Sequence, residues 1–101
     1  MAAPLLAQRK AALEKAAEAR KVRAELKARI KMGSLTLRQV LDISDQNEIV
    51  SRTKVLAILE SMPKIGKVKA RRLMESIGIA ESRRLRGLGD QQRAALLAEF
   101  D

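Results

Sequence analysis

Two groups of residues in this chain have the types and spacing to act on something outside it. The first is Lys64, Gly66 and Lys67, at a turn that opens a helical pattern. The unpaired N–H groups of a helix start, the positive end of the helix dipole and flanking lysines together suit a phosphate. The glycine lets a polyanion's backbone come close. Lys69 and Arg71 extend this positive side. The second group is Arg83, Arg84 and Arg86, on a bent segment closed by Gly87 and Gly89. Guanidinium forks keep their charge and planar geometry where water is stripped away, as at a phosphate or in a narrow minor groove. Three arginines on a short turn cannot all face one way. Arg86, beside Gly87, is the best candidate for a groove, and Arg83 and Arg84 for phosphates, although one of the three could instead cap carbonyls of the last helix.

Both groups lie between Pro63 and Gly89, where eight Lys or Arg face two acids. Across all 101 residues the net charge is +9, which favours an anionic partner. A second basic block, nine bases against three acids, covers Met1–Gly33, and the segment between the two blocks is nearly neutral. Other chemistries find little support. The chain has no Cys and no His, so it lacks a thiolate nucleophile or metal ligand, the commonest general base and the commonest metal ligand. Gly66-Lys67 is not a P-loop, because the earlier glycine and the following Ser or Thr are missing. The expectation is a binding protein without enzymatic activity or cofactor. The single aromatic residue, Phe100, reads as core, so base stacking is not expected. Duplex DNA, held through backbone and shape, is the partner this composition fits best. No apolar run approaches the ~20 residues of a membrane span, and Glu14 and Glu18 weaken any likeness to an organellar transit peptide. A cytoplasmic location is expected.

The elements that must position these residues read as all-α. One helix is expected from about Leu5 to Met32, rich in Ala, Leu, Glu, Lys and Arg and closed by Gly33. Ala19, Val22, Leu26 and Ile30 form a stripe able to pack on a body, whereas the first turns, with Leu13 pointing elsewhere, should project or fray. Their bases Arg9, Lys10, Lys15, Arg20, Lys21 and Arg23 are a candidate second DNA contact. A solvated helix without a partner, a membrane-surface helix and a coiled coil are the alternatives for this segment. The organisation is thus a basic leading helix (1–33) and a helical body (34–101) carrying the binding module at 63–101.

Within the body, Thr36 and Gln39 form a capping box with Leu35 and Val40 as a hydrophobic staple. That helix runs to about Asp45, burying Leu37, Val40, Leu41 and Ser44. Glu48–Arg52 is a connector of unassigned state, followed by a helix from about Thr53 to Ser61 that Pro63 stops. The next helix should reach Ile77, bury Val68, Ala70, Leu73, Met74 and Ile77, and leave through a left-handed Gly78 with Ile79 packing back. Two bends follow, with Ser82 a candidate cap. Asp90 is expected to cap a last helix whose Ala94, Leu97 and Phe100 face inward.

The strings PKIGKVKA and RRLRGLGDQQR, the basic Ala-rich leading helix and the Leu-x-x-Val-Leu entry to the second helix carry a resemblance over essentially all 101 residues. The chain resembles the actinobacterial integration host factor family, whose module is a helix–two-turns–helix. The resemblance implies a small monomeric nucleoid-associated protein, several copies of which could share one DNA. It also implies binding and bending of duplex DNA, effects on supercoiling and compaction, and assistance to site-specific recombination. The family's arginine segment falls on Arg83, Arg84 and Arg86, and its phosphate clamp on Lys64, Gly66 and Lys67. The same module serves a DNA-glycosylase family with an N-terminal Pro-Glu, but Ala2 and Ala3 stand at that start here. It also serves a ribosomal protein with a long basic C-terminal tail, where this chain has an acidic end. RNA or ribosome binding through the module remains the alternative.

Overall fold

The computed structural model describes the backbone of residues 2–100 and the side chains of residues 10–100. Helix α1 spans Ala2–Lys31, α2 Leu37–Ser44, α3 Glu48–Ser51, α4 Val55–Ser61, α5 Lys67–Ile77 and α6 Asp90–Phe100. A 3-10 turn covers Leu85–Gly87. The architecture is all-α, as expected: a long leading helix lies against a body of short ones.

Helix α1 is long because nothing interrupts it before Gly33. There the φ of +78° allows a Schellman exit, in which Ser34 N–H donates to Arg29 O at 2.9 Å and Gly33 N–H to Ile30 O at 3.0 Å. Its second half joins the body through Leu26 and Ile30, which are buried, and Val22, which packs beside them. It rests on α3 and α4. Every residue from 10 to 18 is exposed, Leu13 at 69%. This half of the helix makes the molecule 53 Å long but only about 26 Å across.

The capping box at α2 is complete: Gln39 N–H donates to Thr36 Oγ1 at 3.2 Å and Thr36 N–H to Gln39 Oε1 at 2.9 Å. Leu37, Val40, Leu41 and Ser44 are the buried face, as their spacing predicts. The unassigned connector is the single-turn helix α3, which owes its start to Asn47, whose Oδ1 accepts from Val50 N–H at 3.1 Å. The core is then closed by Val50 of α3, Val55, Ile58 and Leu59 of α4, Ala70 and Met74 of α5, Ile79, Leu85 and Leu96.

Four expectations are corrected. Val68 is 63% exposed. It lies two residues before Ala70, about 200° round a helix from the Ala70–Leu73–Met74–Ile77 face, so it cannot share that face. In α6 the fully buried residue is Leu96; Leu97 and Phe100 pack half-buried against the core as expected, but Ala94 is exposed. Ser82 is not a cap; Arg84 precedes the 3-10 turn, without a side-chain cap bond. Asp90 lies inside α6, and Gly89 stands before it. The Gly89 carbonyl accepts Arg93 N–H at 2.9 Å, and Gly89 N–H donates to Gln92 Oε1 at 3.1 Å.

Two long-range contacts fix the two turns. Gln92 Nε2 donates to Gly78 O at 3.1 Å, joining the exit of α5 to the start of α6. The arginine segment pairs with the residues before α4: Val55 N–H donates to Arg83 O at 2.9 Å and Leu85 N–H to Thr53 O at 3.0 Å, bracketing an antiparallel bridge between Lys54 and Arg84. Arg93 of α6 forks onto Asp45 at the end of α2, at 2.9 and 2.7 Å. The hydrogen bond from Arg93 holds the Asp45 carboxyl below its ordinary pKa, and the same bond raises that of Arg93.

Candidate nucleic-acid interface

The turn that opens α5 is built from Pro63 onward. Ile65 N–H donates to Met62 O at 3.2 Å, and Lys64 has φ +67°, making it the one non-glycine residue with positive φ among those described. Proline in second place and a positive φ in third are the marks of a type II turn, whose third position favours glycine. A lysine held there is strained backbone at an exposed cationic side chain, a feature that concentrates at ligand clamps. Gly66 then caps α5 with extended backbone and no side-chain cap bond. The first-turn N–H groups of Lys67, Val68 and Lys69 therefore lack the side-chain acceptor that Thr36 provides for α2 and Asn47 for α3. At the other end of α5, Gly78 (φ +88°) makes the Schellman exit, Ile79 N–H donating to Met74 O at 2.8 Å with Ile79 buried.

This turn faces α1. A groove between them is lined by Lys64, Gly66 and Lys67 on one side and by Lys27 and Lys31 on the other, with Glu60 the one acid in its lining. A second groove continues along α1, where Arg20, Arg23 and Lys27 face Arg52, Lys54 and Arg84. Lys27 lines both, so the two form one track. Arg20, Arg23, Lys27 and Lys31 follow three- and four-residue spacing and make one stripe of α1. The Lys54–Arg84 bridge holds Arg84 at this track's edge. The leading helix and the module thus contribute cations to the same face.

The other expected site residues divide. Arg86 is exposed on the 3-10 turn. Arg83 is half-buried, and its Nη1 donates to Gly87 O at 2.8 Å. Arg71 is paired with Glu81 at 3.4 Å, both exposed. Lys69 lines a depression over Leu73 and Phe100 on the other side of the turn, which shares Pro63, Lys64 and Ile65 with the first groove. On α1, Lys15 reaches a groove shared with Arg23, Arg52 and Arg84. Lys10 and Lys21 are exposed, and Lys21 is not among the residues lining the track. The Arg9 side chain lies outside the described residues. The sequence reading did not single out Lys27, Lys31, Arg52 or Lys54. Its available signal was the four-residue spacing of Arg23, Lys27 and Lys31 along one helix face.

An α-helix, two turns and a second helix, with Gln92 joining the exit of the first to the start of the second, define a helix–two-turns–helix protein; residues 30–100 match the S13-like H2TH domain family. Over its full length the chain is 56% identical to the integration host factor of Mycolicibacterium smegmatis, covering 98% of that protein. It is also 56% identical to that of Mycobacterium tuberculosis, over 99% of this chain and 97% of the relative. The chain therefore belongs to the integration host factor family. A solved structure of sIHF bound to an 8-bp palindromic DNA has the same fold, with TM-score 0.85 and 49% identity, covering 87% of this chain and 99% of that one.

Proposed function

We propose that this chain binds double-stranded DNA without catalysis, bends it, and acts in the bacterial nucleoid on supercoiling, compaction and site-specific recombination. The observation that carries the reading is the convergence of three elements on one cationic track: the α1 stripe, the Lys64–Lys67 turn and the Arg84 bridge. Lys64, Lys67 and the open N–H groups of α5 take phosphates. Arg84 takes a neighbouring phosphate, and Arg86, at the exposed end of the 3-10 turn, enters the minor groove. Arg20, Arg23, Lys27 and Lys31 follow the flanking backbone, and Lys10 and Lys15 on the projecting part of α1 reach further along it. A track that lies on one side of the protein and spans several phosphates draws the duplex toward it, which favours bending. The leading helix is then a working part of the binding unit, on the same side as the module and not a separate second grip. No helix among the described residues is long and apolar enough to cross a membrane. The likeness to DNA-bound sIHF supports the same partner.

The test is equilibrium binding to random-sequence duplex across a salt series. With about five to eight phosphates neutralised, affinity should fall by roughly a thousandfold or more between 50 and 200 mM salt. Arg86→Ala should weaken binding by ~1–3 kcal/mol. Wild-type strength in that variant at every salt concentration removes Arg86 from the interface. The match to an S13-like domain family favours a second reading, RNA binding through the same module. Competition by duplex RNA separates the two, because A-form and B-form grooves differ in width and depth. Duplex RNA competing as well as DNA favours the second.

A further inference from the structure

We propose that Arg83 is a positioning residue: folded over Gly87, its side chain holds the 3-10 turn that presents Arg84 and Arg86. This rests on the duplex-binding reading above. Its geometry sets Arg83 apart from its two neighbours. Arg84 and Arg86 are exposed, whereas Arg83 is half-buried and its Nη1 is engaged with Gly87 O at 2.8 Å. The bond spans the turn from one end to the other, closing it as a side-chain clasp. The backbone of Arg83 is fixed as well, since its N–H donates to Ala80 O and its carbonyl accepts from Val55 N–H, both at 2.9 Å.

Gly87 supplies the second observation. Its φ is not positive, so its backbone does not require glycine. What makes an alanine tight there is Arg83: a Cβ built on Gly87 would stand 3.0 Å from Arg83 Cδ and 3.8 Å from Nη1, so the arginine stem would have to give by a few tenths of an ångström. The stem of Arg83 lies against the bare α-carbon, and on this proposal the shift an alanine forces on it is enough to loosen the clasp. The turn otherwise has two short-range backbone bonds, Gly87 N–H to Arg84 O at 2.8 Å and Leu88 N–H to Leu85 O at 3.2 Å, and at its start the buried Leu85, whose N–H donates to Thr53 O at 3.0 Å. Ordering a loop on binding costs conformational entropy, so a turn already closed presents its two free arginines at lower cost.

Arg83→Ala, Gly87→Ala and the double variant separate positioning from contact. Each single change should weaken random-duplex binding about tenfold. The double variant should bind no more weakly than Arg83→Ala, since the added methyl has nothing left to displace. The salt dependence of all three should match wild type. Loss of a direct phosphate contact by Arg83 would instead make the slope of log K against log salt shallower by about 0.9 in Arg83→Ala, and Gly87→Ala would then add to it. Either result overturns the proposal. Amide hydrogen exchange on the DNA-free proteins gives an independent reading. The amides at positions 87 and 88, corrected for intrinsic exchange, should be less protected in every variant, with α5 as protected as before. Unchanged exchange at those two amides also overturns the clasp. Wild-type binding that ignores salt would sink the duplex reading instead, while the exchange comparison still decides the role of Arg83.

Discussion

At Gly66 the backbone is extended, with φ −90° and ψ 176°, and a Cβ built there would meet nothing within 4 Å. The chain itself therefore has no need of glycine at this position, unlike Gly78, whose positive φ does. On the duplex-binding function proposed above, glycine at this position serves what approaches the turn from outside. Gly66→Ala should change folding stability by no more than about 1 kcal/mol, because a poorer cap is offset by a stiffer unfolded chain. The same change should weaken duplex binding by about 1–3 kcal/mol through the loss of close approach. Thermal unfolding and a binding isotherm on one preparation check both halves, and undiminished binding would leave Gly66 a plain turn residue. Lys64 makes the complementary case, keeping a side chain where the turn would prefer none.

The elements are held by contacts of unequal legibility. The capping box of α2 and the glycine exits of α1 and α5 are local hydrogen-bond patterns, and Thr36, Gln39, Gly33 and Gly78 announce them in the sequence. Helix α3 does not announce itself: four residues carry no periodicity, and it exists because Asn47 caps it and Val50 is buried. The placement of the Arg83–Leu85 backbone depends on where residues 53–55 pass, a contact made across some thirty residues of sequence. The Arg93–Asp45 fork between α6 and α2 is equally non-local. Its effect on stability has a defined sign. The folded pKa of Asp45 is lowered from 3.8, so the pair contributes in full above that value. Its contribution is lost as pH falls through the depressed pKa. Asp45→Asn should be less stable than wild type at neutral pH, and the two denaturant midpoints should converge as pH drops below 3.8. A gap that persists in acid would mean the fork is not the cause.

At the scale of the whole molecule, the sequence exposes two basic blocks but not their relation. Lys27 and Lys31 pass unnoticed because a helix carrying nine bases in its segment offers several cationic faces. Only the docking of Val22, Leu26 and Ile30 on the body selects the one turned toward Lys64 and Arg84. The fold class, the arginine segment and the turn before α5 were legible, since each is written in local residue types. That the leading helix and the module share one face was not, because it depends on how the core closes. The central claim is that the duplex lies along this shared track, and mapping amide shifts of the isotope-labelled protein on titration with a random duplex tests it most directly. The prediction is that perturbations follow Arg20, Arg23, Lys27, Lys31, Lys64–Lys67 and Arg84–Arg86, and spare α2 and the exposed side of α6. Perturbations centred on α2 and α6, or confined to the module with α1 silent, would contradict it.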